Sequence, residues 1–212
     1  MSELTLRLGH LYPSLMNVYG DRGNITCLQR RCRLRGIDLQ VTSLDLGEGL
    51  EPEAFDLLFI GGAQDREQRV VAADLTQAKG AALREAVEDG AVFLGVCGGY
   101  QLAGRFYRGA AGEELAGAGV FDLYTLHPGA GAKRLIGNLM AEWEDYTLVG
   151  FEGARYRNAF GSYLHGPLLP KNPAFADRLI SLALERRYGE ATLAPLDDAL
   201  ELQAHAAALR GR

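Results

Sequence analysis

Ala91-Val92-Phe93-Leu94-Gly95-Val96-Cys97-Gly98-Gly99-Tyr100-Gln101 runs from an apolar stretch straight into a pair of glycines and the start of a helix. A run with no polar side chain suits a strand buried on both faces, as strands of a parallel sheet are. Upstream, Phe55-Asp56-Leu57-Leu58-Phe59-Ile60 is a compact apolar run interrupted only by Asp56 and ends on Gly61-Gly62, while Ile37–Leu44 alternates like a strand and residues 4–8 form a short apolar one. Between them the pattern turns helical, over residues 25–34 with Gly36 as the stop and over 75–89 with Gly90 closing. The polar turn Tyr19-Gly20-Asp21-Arg22-Gly23-Asn24 precedes the first of these helices. Strand alternating with helix predicts an α/β fold: a mostly parallel central sheet with helices on both faces and right-handed crossovers. Downstream, residues 109–119 read as a surface connection, and strands near 120–125, 135–140 and 146–151 read as a short antiparallel extension. A further strand over 158–164 and helices over 175–187 and 197–209 complete the expectation.

With 212 residues and 48% hydrophobic content the chain can bury one sizeable core, so residues 1–212 are expected to form a single domain. A net charge of -5 and the lack of a Lys/Arg run argue against nucleic acid as a partner. No apolar segment approaches the ~20 residues that a membrane span needs, so no membrane insertion and a cytoplasmic location are expected. Cys27, Cys32 and Cys97 form no CxxC pair, which suggests neither a disulfide framework nor a zinc site, and no metal is expected.

Cys97 stands where a buried strand turns sharply into a helix, flanked by glycines that leave its thiol unobstructed. That arrangement resembles a nucleophile elbow, where the helix N-terminus favours thiolate and nearby backbone N–H groups can hold an oxyanion. The bland alternative is a small buried hydrophobe at a strand end. A thiol nucleophile needs a base, and the chain has four histidines: His10, His127, His165 and His205. His165 ends the apolar stretch Gly161-Ser162-Tyr163-Leu164, which in a parallel sheet emerges at the same edge as Cys97, so it is the expected base. His10 and His127 fall in or beside turns, and His205 lies in an Ala-rich helix, where an exposed side chain is expected of it.

These residues together resemble the class I, triad-type glutamine amidotransferases, a flavodoxin-like family, in the branch of the cobyric acid synthases. Within it they are most similar to the glutaminase subunits of lipid II isoglutaminyl synthases. The resemblance is carried in order by Leu11-Tyr12-Pro13, Asn17-Val18-Tyr19-Gly20-Asp21-Arg22-Gly23-Asn24, Ile60-Gly61-Gly62-Ala63-Gln64-Asp65, the Cys97 turn, and Gly161-Ser162-Tyr163-Leu164-His165-Gly166-Pro167-Leu168-Leu169-Pro170-Lys171-Asn172-Pro173. It implies Cys97 as nucleophile, His165 as base and then acid, Gly62 and Gly98 as oxyanion N–H donors, and Gln101 and Arg134 as ligands of L-glutamine. It also implies a Mur-ligase-like synthetase subunit as heterodimer partner. That partner would bind ATP and Mg²⁺ and amidate D-glutamate of lipid II to D-isoglutamine near the inner membrane face, while this chain needs no cofactor. Nor does it carry a phosphate-binding G-x-x-x-x-G-K-[ST] loop.

Two departures stand out. Many of these enzymes carry an acid two residues after the histidine, but Pro167 stands there and cannot orient an imidazole, which leaves the source of the third member of the triad open, a partner subunit among the sources. Relatives also continue past Phe151-Glu152 into a glycine-rich hairpin, whereas here Glu152 joins Gly153-Ala154-Arg155-Tyr156 directly, by a deletion or because a stretch is missing. Two other readings remain: a glutaminase serving a cobyrinate-like acceptor, or a cysteine hydrolase of the same fold.

Overall fold

In the computed structural model of the chain, residues 4–129, 131, 153–164, 166–189 and 191–210 are described. Along them run Leu4–Leu11 (β1), Arg22–Arg33 (α1), Ile37–Leu44 (β2), Leu57–Ile60 (β3), Asp65–Asp74 (α2), Gly80–Glu88 (α3), Val92–Val96 (β4) and Gly98–Ala103 (α4). Phe106–Arg108 (β5), Glu114–Ala116 (β6), Tyr124–Leu126 (β7), Ala154–Tyr156 (β8), Ala159–Ser162 (β9), Pro173–Tyr188 (α5) and Ala199–Arg210 (α6) follow.

The main sheet has the order β2-β1-β3-β4-β9-β8, parallel throughout except that β8 returns antiparallel to β9. Because strand side chains alternate faces, β3 and β4 divide their apolar residues between two cores. Leu57, Phe59, Val92, Leu94 and Val96 pack with Ile25 and Leu28 of α1 and Leu179 and Ile180 of α5, while Leu58, Ile60 and Phe93 pack with Val71, Leu83 and Leu102 of α2, α3 and α4. Both faces are therefore covered, and the α/β expectation holds. The functional edge is the carboxyl end of β1, β3, β4 and β9, where ligands of open parallel sheets bind.

Several boundaries differ from the sequence reading, each for a local reason. The first helix opens at Arg22, so the polar turn supplies its first residues. In place of one helix over 75–89 the chain makes α2, a π turn at Leu75–Lys79, and α3. The wide turn sets Lys79 fully inside, paired with Asp74 and 4.6 Å from the Tyr12 ring centroid. The extension is a small separate sheet, β6-β5-β7, whose β5–β7 pair is parallel, so it is only partly antiparallel; β6 lies within the stretch read as a connection. The strands expected at 135–140 and 146–151, the joint at Glu152, and the site candidates Arg134 and His165 lie outside the described residues.

Candidate active site

β4 delivers Cys97 to the sheet edge, and the residue takes φ 53° and ψ -113° as the N-cap of α4. A non-glycine residue in this region carries strain of order 1–3 kcal/mol. Hydrogen bonds on both sides hold it there: its N–H donates to Ser162 O of β9 at 2.8 Å, and its carbonyl accepts Gln101 N–H at 3.1 Å. The neighbouring glycines explain themselves by contact. A Cβ on Gly99 would stand 2.6 Å from Ile60 O and 2.7 Å from Gly61 O, and the Gly99 N–H donates to Gly61 O at 3.0 Å. The elbow is thus seated on the end of β3.

Gly62 faces the nucleophile. A Cβ there would lie 3.0 Å from Cys97 Cβ and 3.3 Å from Cys97 Sγ, so only glycine leaves the backbone this close to the sulfur. Cys97 is half-buried, whereas burial pushes Cys27 up to about 11 and Cys32 up to about 12, which keeps those two thiols protonated and inert. Ser162, the last residue of β9, is hydrogen-bonded beside Cys97.

Comparison with known proteins agrees with this geometry. Residues 7–152 match the sequence profile of the CobB/CobQ-like glutamine amidotransferase domain. The chain is 35% identical to the Staphylococcus aureus (strain N315) lipid II isoglutaminyl synthase (glutamine-hydrolyzing) subunit GatD, over 96% of this chain and 94% of that protein. It is 34% identical to the Streptococcus pneumoniae (strain R6) subunit of the same name, over 87% and 83% of the two chains. The chain belongs to the CobB/CobQ-like glutamine amidotransferases. Among solved structures, that of PurLQS from Thermotoga maritima shares 14% identity, with 51% of this chain and 50% of that chain covered and a TM-score of 0.33.

In this amidotransferase the structure brings Cys97, Gly62, Gly98 and Gln101 together, and it adds residues that the sequence reading passed over. Asp21 of the polar turn is fully buried, and its Oδ2 accepts the Gly62 N–H at 2.6 Å. The expected oxyanion donor is therefore held by a carboxylate. Gly98 lies in the first turn of α4, whose N–H groups have no helical partner, and packs against Gln68. Gln68, only 2% exposed, donates to Ala63 O at 3.0 Å and to Gln101 Oε1 at 3.1 Å.

The polar turn at 19–24 and the stretch at 166–173, two of the motifs that carry the resemblance, touch each other. A Cβ on Gly23 would stand 2.5 Å from Pro167 Cγ, and Leu169 N–H donates to Asn24 Oδ1 at 2.9 Å. Pro167, puzzling as a substitute for a triad acid, is a packing residue against the turn that carries Asp21. His10 corrects the sequence reading: it is 3% exposed within β1, against the Phe59 ring, and burial together with nearby Arg22 lowers it to about 4. His205 Nδ1 donates to Lys171 O at 2.8 Å, tying α6 to the segment before α5.

Proposed function

We propose that this chain hydrolyses L-glutamine to glutamate and ammonia as the glutaminase subunit of a lipid II isoglutaminyl synthase. The observation that carries the reading is the Cys97 elbow, a thiol in strained backbone at a parallel-sheet edge with glycine backbone against its sulfur. The names of the two relatives support the same substrate and a multi-subunit assembly. Cys97 Sγ attacks the carboxamide carbon, and backbone N–H groups of Gly98 and, once released, Gly62 receive the charge that develops on its oxygen. Collapse of that intermediate expels the nitrogen as ammonia and leaves a glutamyl thioester. Water then attacks the thioester, returning the thiol and releasing glutamate. His165 takes the thiol proton and gives it to the departing nitrogen, and Gln101 and Arg134 bind the substrate. A Mur-ligase-like partner holds ATP and Mg²⁺, activates the lipid II D-glutamate carboxyl, and completes the catalytic acid that Pro167 leaves out. This subunit works in the cytoplasm near the inner membrane face without inserting; no helix among the described residues is long and apolar enough to cross a membrane.

The test is release of ammonia and glutamate from glutamine by the chain and by Cys97→Ala, each with and without the co-expressed partner. Activity abolished by the substitution and raised by the partner is expected. No release with the partner present would sink the glutaminase reading.

A further inference from the structure

We propose that Gln68 is the positioning residue that fixes which way Gln101 faces glutamine. The inference rests on the glutaminase reading and names a determinant of its substrate recognition. A side-chain carboxamide can present either its oxygen or its nitrogen, and the choice is decided by whichever neighbour cannot change. Here that neighbour is the backbone carbonyl of Ala63, which can only accept. It draws the Gln68 nitrogen to 3.0 Å, and the second hydrogen on that nitrogen points to Gln101 Oε1 at 3.1 Å. Gln101 must then turn its own nitrogen outward. One turn along α4 from Cys97, on the same face of the helix, a donor is presented to the substrate, and it meets an acceptor oxygen of glutamine.

Gln68 acts only through Gln101. Its Oε1 is sealed from solvent and has no hydrogen-bond partner among the described residues, so no ligand reaches it. A buried acceptor left unmet costs about 1–3 kcal/mol, and an apolar side chain of equal length would avoid that cost. A carboxamide kept at such a position is explained by the bond it makes to Gln101, as local rules are broken where function requires it.

The experiment measures L-glutamine binding by calorimetry in a Cys97→Ala background, and KM and kcat in the full chain with its synthetase partner. Gln68→Met, near-isosteric but unable to donate, is expected to weaken binding and raise KM about tenfold, the scale of one hydrogen bond, with kcat within about threefold. Gln68→Leu is carried alongside it, and thermal melts report folding. The double variant Gln68→Met/Gln101→Met should bind no worse than Gln101→Met alone, because both remove one interaction. Gln101→Glu, which turns an acceptor outward, should bind worse than Gln101→Met. Unchanged binding in Gln68→Met, additive losses in the double variant, tighter binding by Gln101→Glu, or loss of fold in both Gln68 variants would overturn the inference. Failure of the Cys97→Ala parent to bind glutamine would instead overturn the glutaminase reading on which it stands.

Discussion

The carboxylate of Asp21 accepts the Gly62 N–H at 2.6 Å, and its Oδ2 lies 3.1 Å from the point where a Gly62 Cβ would stand, with Cys97 Sγ 3.3 Å from that same point. A charged acceptor thus occupies the donor that a tetrahedral oxyanion would use. Hydrogen bonds to ionised acceptors are roughly twice as strong as neutral ones, so the developing oxyanion competes against a strong resident. Asp21→Asn keeps the shape and an acceptor but removes the charge. Glutamine turnover by the chain without its partner should rise several-fold, with Tm nearly unchanged. A fall of tenfold or more would show that Asp21 takes part in the reaction and that Gly62 is not the oxyanion donor.

Gly62 and Gly99 separate crowding of the site from damage to the fold. A Cβ at 62 meets Cys97 and Asp21 side chains at 3.0–3.3 Å, whereas one at 99 meets the carbonyls of Ile60 and Gly61 at 2.6 and 2.7 Å. Gly62→Ala should therefore fold, with glutaminase activity down by about a hundredfold, the scale of losing one oxyanion donor. Gly99→Ala must push α4 off β3 and should lose about 1–3 kcal/mol of stability in urea melts, as overpacked cores do. Equal stability of the two variants would contradict the contacts.

How much of this was legible in the sequence depended on how local the signal was. The buried strands announced themselves because Leu57, Phe59, Val92 and Leu94 face one core and Leu58, Ile60 and Phe93 the other, leaving no polar position in the run. Cys97 was legible for the same reason, as a reactive side chain between a strand and two glycines. Asp21 and Gln68 were not. Asp21 sits in a polar turn that reads as surface until the backbone turn after β3 arrives from 41 residues away to bond it. Gln68 lies on one turn of α2 among charged neighbours, and its burial is decided by α4 packing across it. His10 misled for a similar cause: β1 runs to Leu11, three residues past the apolar stretch, because β2 and β3 both pair with it there.

His10 gives the fold a pH dependence whose sign is fixed. Its folded pKa is lowered from 6.5 to about 4, first by burial and then by Arg22, with Asp45 opposing. The unfolded chain therefore binds a proton between pH 6.5 and 4 that the folded chain refuses, so stability falls as pH drops through that window and is unaffected above it. The loss is on the order of 3 kcal/mol by pH 4. Urea melts from pH 7 to 4 on the wild type and on His10→Leu should differ in slope by this amount, and parallel profiles would show that His10 is not held neutral.

Lys79 is a costly polar group to have placed inside, since its side chain is fully buried on the π turn. Asp74 answers it, and also accepts Tyr12 OH at 2.8 Å and Gly47 N–H at 2.8 Å. Burial works to raise the Asp74 carboxyl, but the bonds from Lys79, Gly47 and Tyr12 outweigh it and hold it below the usual carboxylate range, while Tyr12 is pushed well above its own. The pair also reaches the site: Tyr12 stands at φ 53°, its carbonyl accepts the Met16 N–H at 2.7 Å, and the loop from there carries Asp21 over Gly62. Removing one partner of a buried pair leaves the other uncompensated, so Asp74→Asn should cost about 3–5 kcal/mol and Lys79→Met somewhat less, because Asp74 keeps two donors. Lys79→Met/Asp74→Asn, with neither charge left inside, should be more stable than Asp74→Asn alone. If urea melts instead show the two losses adding, the ammonium and the carboxylate are stabilised separately, and the loop carrying Asp21 is anchored by Tyr12 without them.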